Sequence, residues 1–96
     1  MEQMYAFLAE QTDRNQRVIM NFLRHPDTKF IFDEIAVKFQ AYTKNLYNFL
    51  QQCIELDLVE IKPAQCFFSD EYRLSPRLAK EKTDDLKIRL EELFLV

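Results

Sequence analysis

Glycine is missing from all 96 residues of this chain. Loops that cradle phosphate and two-residue type I′ hairpins both lean on glycine, so neither is expected. Turns must instead be built from Asn, Asp or Pro, or from longer loops. Tryptophan is absent too, and histidine occurs once, as His25. A zinc site needs three or four Cys, His or carboxylate ligands. One His with the widely separated Cys53 and Cys66 falls short, so no metal and no cofactor are predicted. His25 also has no Ser or Cys nucleophile near it in sequence. It precedes Pro26 at a helix end and reads as a capping or solvated side chain. The pairs Asp84-Asp85 and Glu91-Glu92 read as solvated charge on a helix surface. The sequence therefore predicts no catalytic residue and no enzyme. No apolar run approaches the roughly 20 residues of a membrane span. The N-terminus has no basic stretch leading into an apolar one, so no signal peptide is expected. With only two cysteines, the chain suits a reducing compartment, and a cytoplasmic protein without membrane contact is the expectation.

Apolar residues make up 48% of the chain and aromatics 14%, nine of them Phe. That composition and length suit one globular domain with a single core. The net charge of −3 is unevenly spread. Glu2, Glu10 and Asp13 make the start acidic. Residues 14–52 carry Arg14, Arg17, Arg24, Lys29, Lys38 and Lys44 against Asp27, Asp33 and Glu34, an excess of bases. Residues 53–96 are acidic again. Local sign steers a charged partner more than the total does.

The basic segment contains the stretch around which the chain is organised, Ala41 to Glu60. Leu46, Leu50, Cys53 or Ile54 and Leu58 recur at three- and four-residue steps, the inward stripe of a helix that runs into a strand. The other face offers Lys44, Asn45, Asn48, Gln51 and Gln52. Between Ile35 and Ile54 there is no Asp or Glu. A surface that approaches phosphates cannot lead with carboxylates. Asn and Gln can bond adenine edges, and Lys can serve guanine or phosphate.

Along the rest of the chain, residues 2–11 predict a short helix whose apolar patch, Met4, Tyr5, Phe7 and Leu8, must dock on its own domain or on a second copy. Thr12 or Asp13 caps a second helix, with Gln16 placed to close the cap. Val18, Ile19, Phe22 and Leu23 face inward, and the helix ends near Arg24, ahead of His25-Pro26. Lys29-Phe30-Ile31 suggests a short strand. Phe32 to Gln40 forms a third helix, linked by about four residues to the helix of the organising stretch. Two helices so closely joined make a helix-turn-helix candidate. Leu58 to Lys62 alternates as a half-buried strand that Pro63 stops. Residues 64–69 form a loop, and Glu71 to Leu74 returns antiparallel. Ser75-Pro76 reads as the start of a last helix that reaches about Phe94. Ala79, Thr83, Leu86, Leu90 and Leu93 step four, three, four, three along it, a seam for a partner helix.

Taken together, these pieces resemble the winged helix-turn-helix transcription regulators, closest in layout to the arsenic-repressor-like (ArsR) and MarR-like families. The matching segments are Asp33-Glu34-Ile35-Ala36, Leu46-Tyr47-Asn48-Phe49-Leu50, Leu56-Asp57-Leu58-Val59-Glu60 and Tyr72-Arg73-Leu74-Ser75-Pro76, within residues 14–80. The resemblance implies a mainly α fold with a small β-hairpin wing (α+β). Residues 1–12 would be an N-terminal docking helix, 13–75 the winged helix-turn-helix core, and 76–96 a C-terminal dimerisation helix. It implies a homodimeric transcription regulator, such as a repressor, that binds an inverted repeat in double-stranded DNA. The expected base-reading residues are Thr43, Lys44, Asn45, Tyr47, Asn48 and Gln51. Arg14, Arg17, Lys29 and Lys38 are expected on phosphates. Met4, Leu8, Ala79, Leu86, Leu90 and Leu93 are expected at the dimer interface. Two departures stand out. Asp57 occupies a position where these families usually carry Gly, and Asp tolerates the left-handed turn needed there. The wing tip, residues 64–69, is uncharged and holds Phe67 and Phe68, which argues against contact with the minor groove. Those two rings either fold back onto the core or meet a partner. A winged-helix module that binds protein instead of DNA is the alternative reading.

Overall fold

The computed structural model describes residues 2–94. The elements run α1 (Glu2–Ala9), α2 (Asp13–Arg24), β1 (Phe30–Ile31), α3 (Phe32–Lys38), α4 (Thr43–Glu55), β2 (Val59–Lys62), β3 (Glu71–Leu74) and α5 (Lys80–Phe94), with a 3-10 turn at Phe67–Ser69. Among the described residues no helix is long and apolar enough to cross a membrane.

The first two helices are separate because Thr12 breaks between them. Its backbone is extended and its hydroxyl accepts a bond from the Asn15 amide. Gln16 departs from its expected role. Its amide does not close the cap of α2 but donates backward to the Leu8 and Ala9 carbonyls, at 3.0 and 3.3 Å. Those carbonyls end α1 and have no partner within it. Gln16 thus fastens α1 to α2. Helix α2 is the centre of the core, with Val18, Ile19, Met20, Phe22 and Leu23 all buried. Helix α5 packs along it, and α1 packs on both.

The three strands form one antiparallel sheet in the order β1-β3-β2. Val59 pairs with Leu74 and Lys62 with Glu71, while Phe30 pairs with Tyr72 across the other edge of β3. The expected two-stranded wing is therefore joined to the front of α3 by β1. Tyr72 and Leu74 point inward and Glu71 and Arg73 lie at the partly exposed face, as period-two alternation requires.

Glycine's absence has a visible consequence at the C-terminal ends of the two helices of the helix-turn-helix. After α3, the Ala41 amide bonds the Ala36 carbonyl and the Gln40 amide bonds Val37. After α4, Leu58 bonds Cys53 and Asp57 bonds Ile54 in the same pattern. Both are Schellman closures, which place one residue in left-handed backbone. The residues there are Gln40, at φ 51°, and Asp57, at φ 59°. Asp57 was legible in the sequence; Gln40 was not, since a long unbranched side chain gains nothing in that geometry.

The last helix starts later than expected. Ser75 does not cap it, and Pro76 lies in a turn before it. The Ser75 hydroxyl instead donates to Asp57 at 3.2 Å and accepts from the Arg77 amide. Arg77 folds onto the same carboxylate, and Arg77 and Ser75 hold the Asp57 carboxyl below the usual carboxylate range. Ala79 then accepts the first bond of α5, from Thr83.

The seam expected along α5 is directed differently as well. Thr83, Leu86 and Leu90 are buried against α2 and α1 of the same chain, and Leu8 on α1 is buried with them. A heptad-like stripe on one helix fits any apolar neighbour, and here the chain supplies its own. Leu8, Leu86 and Leu90 are thus corrected from interface to core. Ala79 stands exposed ahead of the helix, while Met4 and Leu93 are partly exposed.

Candidate nucleic-acid interface

Helices α3 and α4 are joined by residues 39–42, and the Schellman closure at Gln40 sets the turn between them. Helix α4 buries Leu46, Phe49, Leu50 and Cys53. Burial also pushes the Cys53 thiol well above its ordinary value, as expected of an inert core cysteine. With that stripe fixed inward, the opposite crest follows from the 100° step of a helix: Lys44, Asn48 and Gln51, then Glu55 one turn on. Thr43, Lys44, Asn45, Tyr47 and Asn48 are exposed, and Gln51 is half-buried. The carboxylate-free surface thus covers the first three turns and ends at Glu55. Tyr42 precedes α4 without a side-chain cap, and the first turn carries no acid.

The four cations expected on phosphates are not gathered in one place. Arg14 and Arg17 line an open groove of about 670 Å³ between the start of α2 and α4, facing Asn45, Asn48 and Gln52. Arg17 is paired with Asp13 at 2.7 Å and lies over the Phe94 ring. Lys38 donates to the buried Asn21 at 3.0 Å, a bond that ties α3 to α2. Lys29 lies apart, beside Glu60, Lys62, Glu71 and Arg73 at the sheet. Among the described residues, Arg14 and Lys44 have no ion-pair partner.

The wing tip folds toward α4. The Asp70 carboxylate accepts the Ala64 amide at 2.7 Å, and the Asp70 carbonyl accepts the Phe32 amide at 2.9 Å. Those two bonds close the loop against the start of α3. Phe67 stands 5.4 Å from the Phe32 ring, 5.8 Å from Tyr47 and 4.2 Å from Phe68. Phe67 is still 39% exposed, Phe68 42% and Tyr47 39%. The rings thus fold back onto the core at Phe32, as one of the two expectations had it, and keep part of their surface in solvent. The contact between Tyr47 and Phe67 was not readable from either segment alone. Behind them Tyr72 is buried, and its hydroxyl is the one buried side-chain polar atom without a hydrogen bond among the described residues.

A helix-turn-helix followed by a β2-β3 wing, which pairs with β1 in a three-stranded sheet, defines the winged helix-turn-helix fold, as the sequence resemblance implied. Neither protein-family models nor curated proteins match this chain. Among solved structures, the fold is similar to the heme sensor protein PefR from Streptococcus agalactiae in complex with heme. The TM-score is 0.66 at 17% identity, covering 95% of this chain and 61% of that one. A mutant of S. aureus MepR gives 0.64 at 15% identity, over 97% of this chain and 64% of that one. A second MepR mutant, bound to an oligodeoxyribonucleotide, gives 0.60 at 16% identity, over 98% and 72%. The chain therefore spans less than two thirds of the length of the first two.

Proposed function

We propose that this chain is a cytoplasmic, sequence-specific double-stranded DNA-binding transcription regulator that acts as a homodimer and lays α4 in the major groove. The carrying observation is the exposed crest of α4: Lys44, Asn45 and Asn48 in solvent, Gln51 partly so, and no carboxylate before Glu55. Asn45 and Asn48 have the donor and acceptor pair that reads adenine, and Lys44 serves guanine or phosphate. Arg14, across the groove and without a carboxylate partner, takes a phosphate and fixes the register. The uncapped amides at the start of α4 suit a second phosphate. That a MepR mutant of similar fold is bound to an oligodeoxyribonucleotide is consistent with this reading.

The two-fold contact is proposed at Ile88 on the outer face of α5 and at the half-exposed Met4 and Leu93 beside the inner stripe, whose buried members serve the core. Ile88 is 55% exposed on an otherwise charged face. Paired copies would set two α4 helices in successive major grooves about 34 Å apart, so the target is an inverted repeat. Selection from random duplexes tests the proposal. Enrichment of a palindrome whose affinity falls steeply with salt is the expected outcome. No enrichment, and no binding to any duplex at low salt, refutes it. The half-exposed Phe67 and Phe68 on an uncharged wing favour a second reading, a module that binds protein, and that second result would favour it.

A further inference from the structure

Between the first turns of α4 and the 3-10 turn of the wing lies an open hollow of about 460 Å³, lined by Thr43, Lys44, Tyr47 and Phe67. Its walls are mainly apolar, and neither the helix-turn-helix nor the phosphate contacts account for it. We propose that this hollow receives thymine C5-methyl groups in the major groove, making the wing turn an apolar extension of the reading surface of α4. The inference rests on the DNA-binding reading above and names what one part of that surface recognises.

The chemistry of the rim selects the occupant. Tyr47 and Phe67 meet edge to face at 5.8 Å, and Thr43 adds a methyl at the first position of α4. Lys44 stands beside them with no ion-pair partner among the described residues. An apolar floor with an unpaired ammonium at its edge suits a surface that carries methyl groups and phosphates together. The major groove of DNA is such a surface, and apolar side chains contact the thymine methyl there. The hollow is also formed in advance. Phe67 is braced by Phe32 and Phe68, and the loop behind is closed by Asp70, so little ordering is needed on binding. A tip with no Lys or Arg between Ala64 and Asp70 has nothing to offer phosphates alone.

The experiment compares a duplex selected by the full chain with the same duplex in which every thymine is replaced by deoxyuridine, by fluorescence anisotropy at fixed salt. Losing one buried methyl should weaken binding about fourfold. Phe67→Ala should bind both duplexes alike, and Phe67→Leu should keep the preference. If the unaltered chain binds both duplexes equally well, with its salt dependence intact, the inference fails while the DNA reading stands. A preference undiminished in Phe67→Ala also overturns it, as does a selected site without thymine. Failure to bind any duplex overturns both readings.

Discussion

Replacing Leu90 with Ala separates two roles that one spacing pattern allows. Leu90 is 0% exposed in the single chain and sits where α5 packs on α2. Truncating a fully buried Leu removes its transfer energy and leaves a cavity, about 3 kcal/mol within a range of roughly 2–5. For a domain of this size that lowers the melting temperature by about 12–24 °C. The loss is a large share of the roughly 5–15 kcal/mol that holds such a domain together. Urea unfolding followed by circular dichroism, at two protein concentrations tenfold apart, measures it. A core role predicts the same loss at both concentrations. Ile88→Glu is the companion variant: it should leave the melting point of the fold within a few degrees and shift sedimentation toward a monomer. A Leu90→Ala loss below about 1 kcal/mol, or one found only at the lower concentration, would refute the placement of this stripe in the core.

Arg14→Ala should weaken binding to all duplexes alike and reduce the salt slope by about one per site, whereas Asn48→Ala should relax base preference at one position, at about 1–3 kcal/mol. Anisotropy titrations on the selected and a random duplex distinguish the two, and equal losses on both for Asn48→Ala would remove its reading role. Gln40→Gly should stabilise the fold by about 1 kcal/mol, since φ 51° costs a side chain that glycine lacks; a destabilised variant in urea would show that the Gln40 side chain contributes contacts of its own. Tyr72→Phe removes a buried hydroxyl with no partner and should be neutral or stabilising by about 1 kcal/mol. Burial first, then the Asp70 charge, pushes the Tyr72 phenol up to about 12. Its ordinary value near 10 applies to the unfolded chain, so stability is complete below pH 10 and falls as pH rises toward 12. Thermal melts should show that fall in the unaltered chain and a smaller one in Tyr72→Phe; equal slopes would place the phenol in water.

Local signals carried most of the architecture. The strand alternation at Val59–Lys62 and Glu71–Leu74, the Thr12 cap and the stop before Pro26 each follow from a few neighbouring residues, and each is where the pattern put it. The errors share a different origin. Gln16 and Ser75 are both competent caps by type, but each found a better partner outside its own helix, in the end of α1 and in Asp57. The α5 stripe shows how much a spacing pattern leaves undecided: it states that a neighbour exists, not whether the neighbour is α2 or a second chain. The exposed polar crest of α4 was legible because its polar side chains and inward stripe sit on one helix. The cations were not, since Lys38 is committed to Asn21 and Lys29 lies on the sheet, and sequence distance says nothing of either. The hollow beside Tyr47 joins segments twenty residues apart, beyond the reach of periodicity.

The central claim is that the crest of α4 lies against DNA. Following backbone amides in two-dimensional NMR spectra while the selected duplex is added to the full chain tests it most directly. Shifts concentrated at residues 43–51, at Arg14 and at Phe67, with the α5 positions that pack on α2 unmoved, are the expected result. Shifts centred on Phe67 and Phe68 alone, or on α5, with residues 43–51 unchanged, would contradict it.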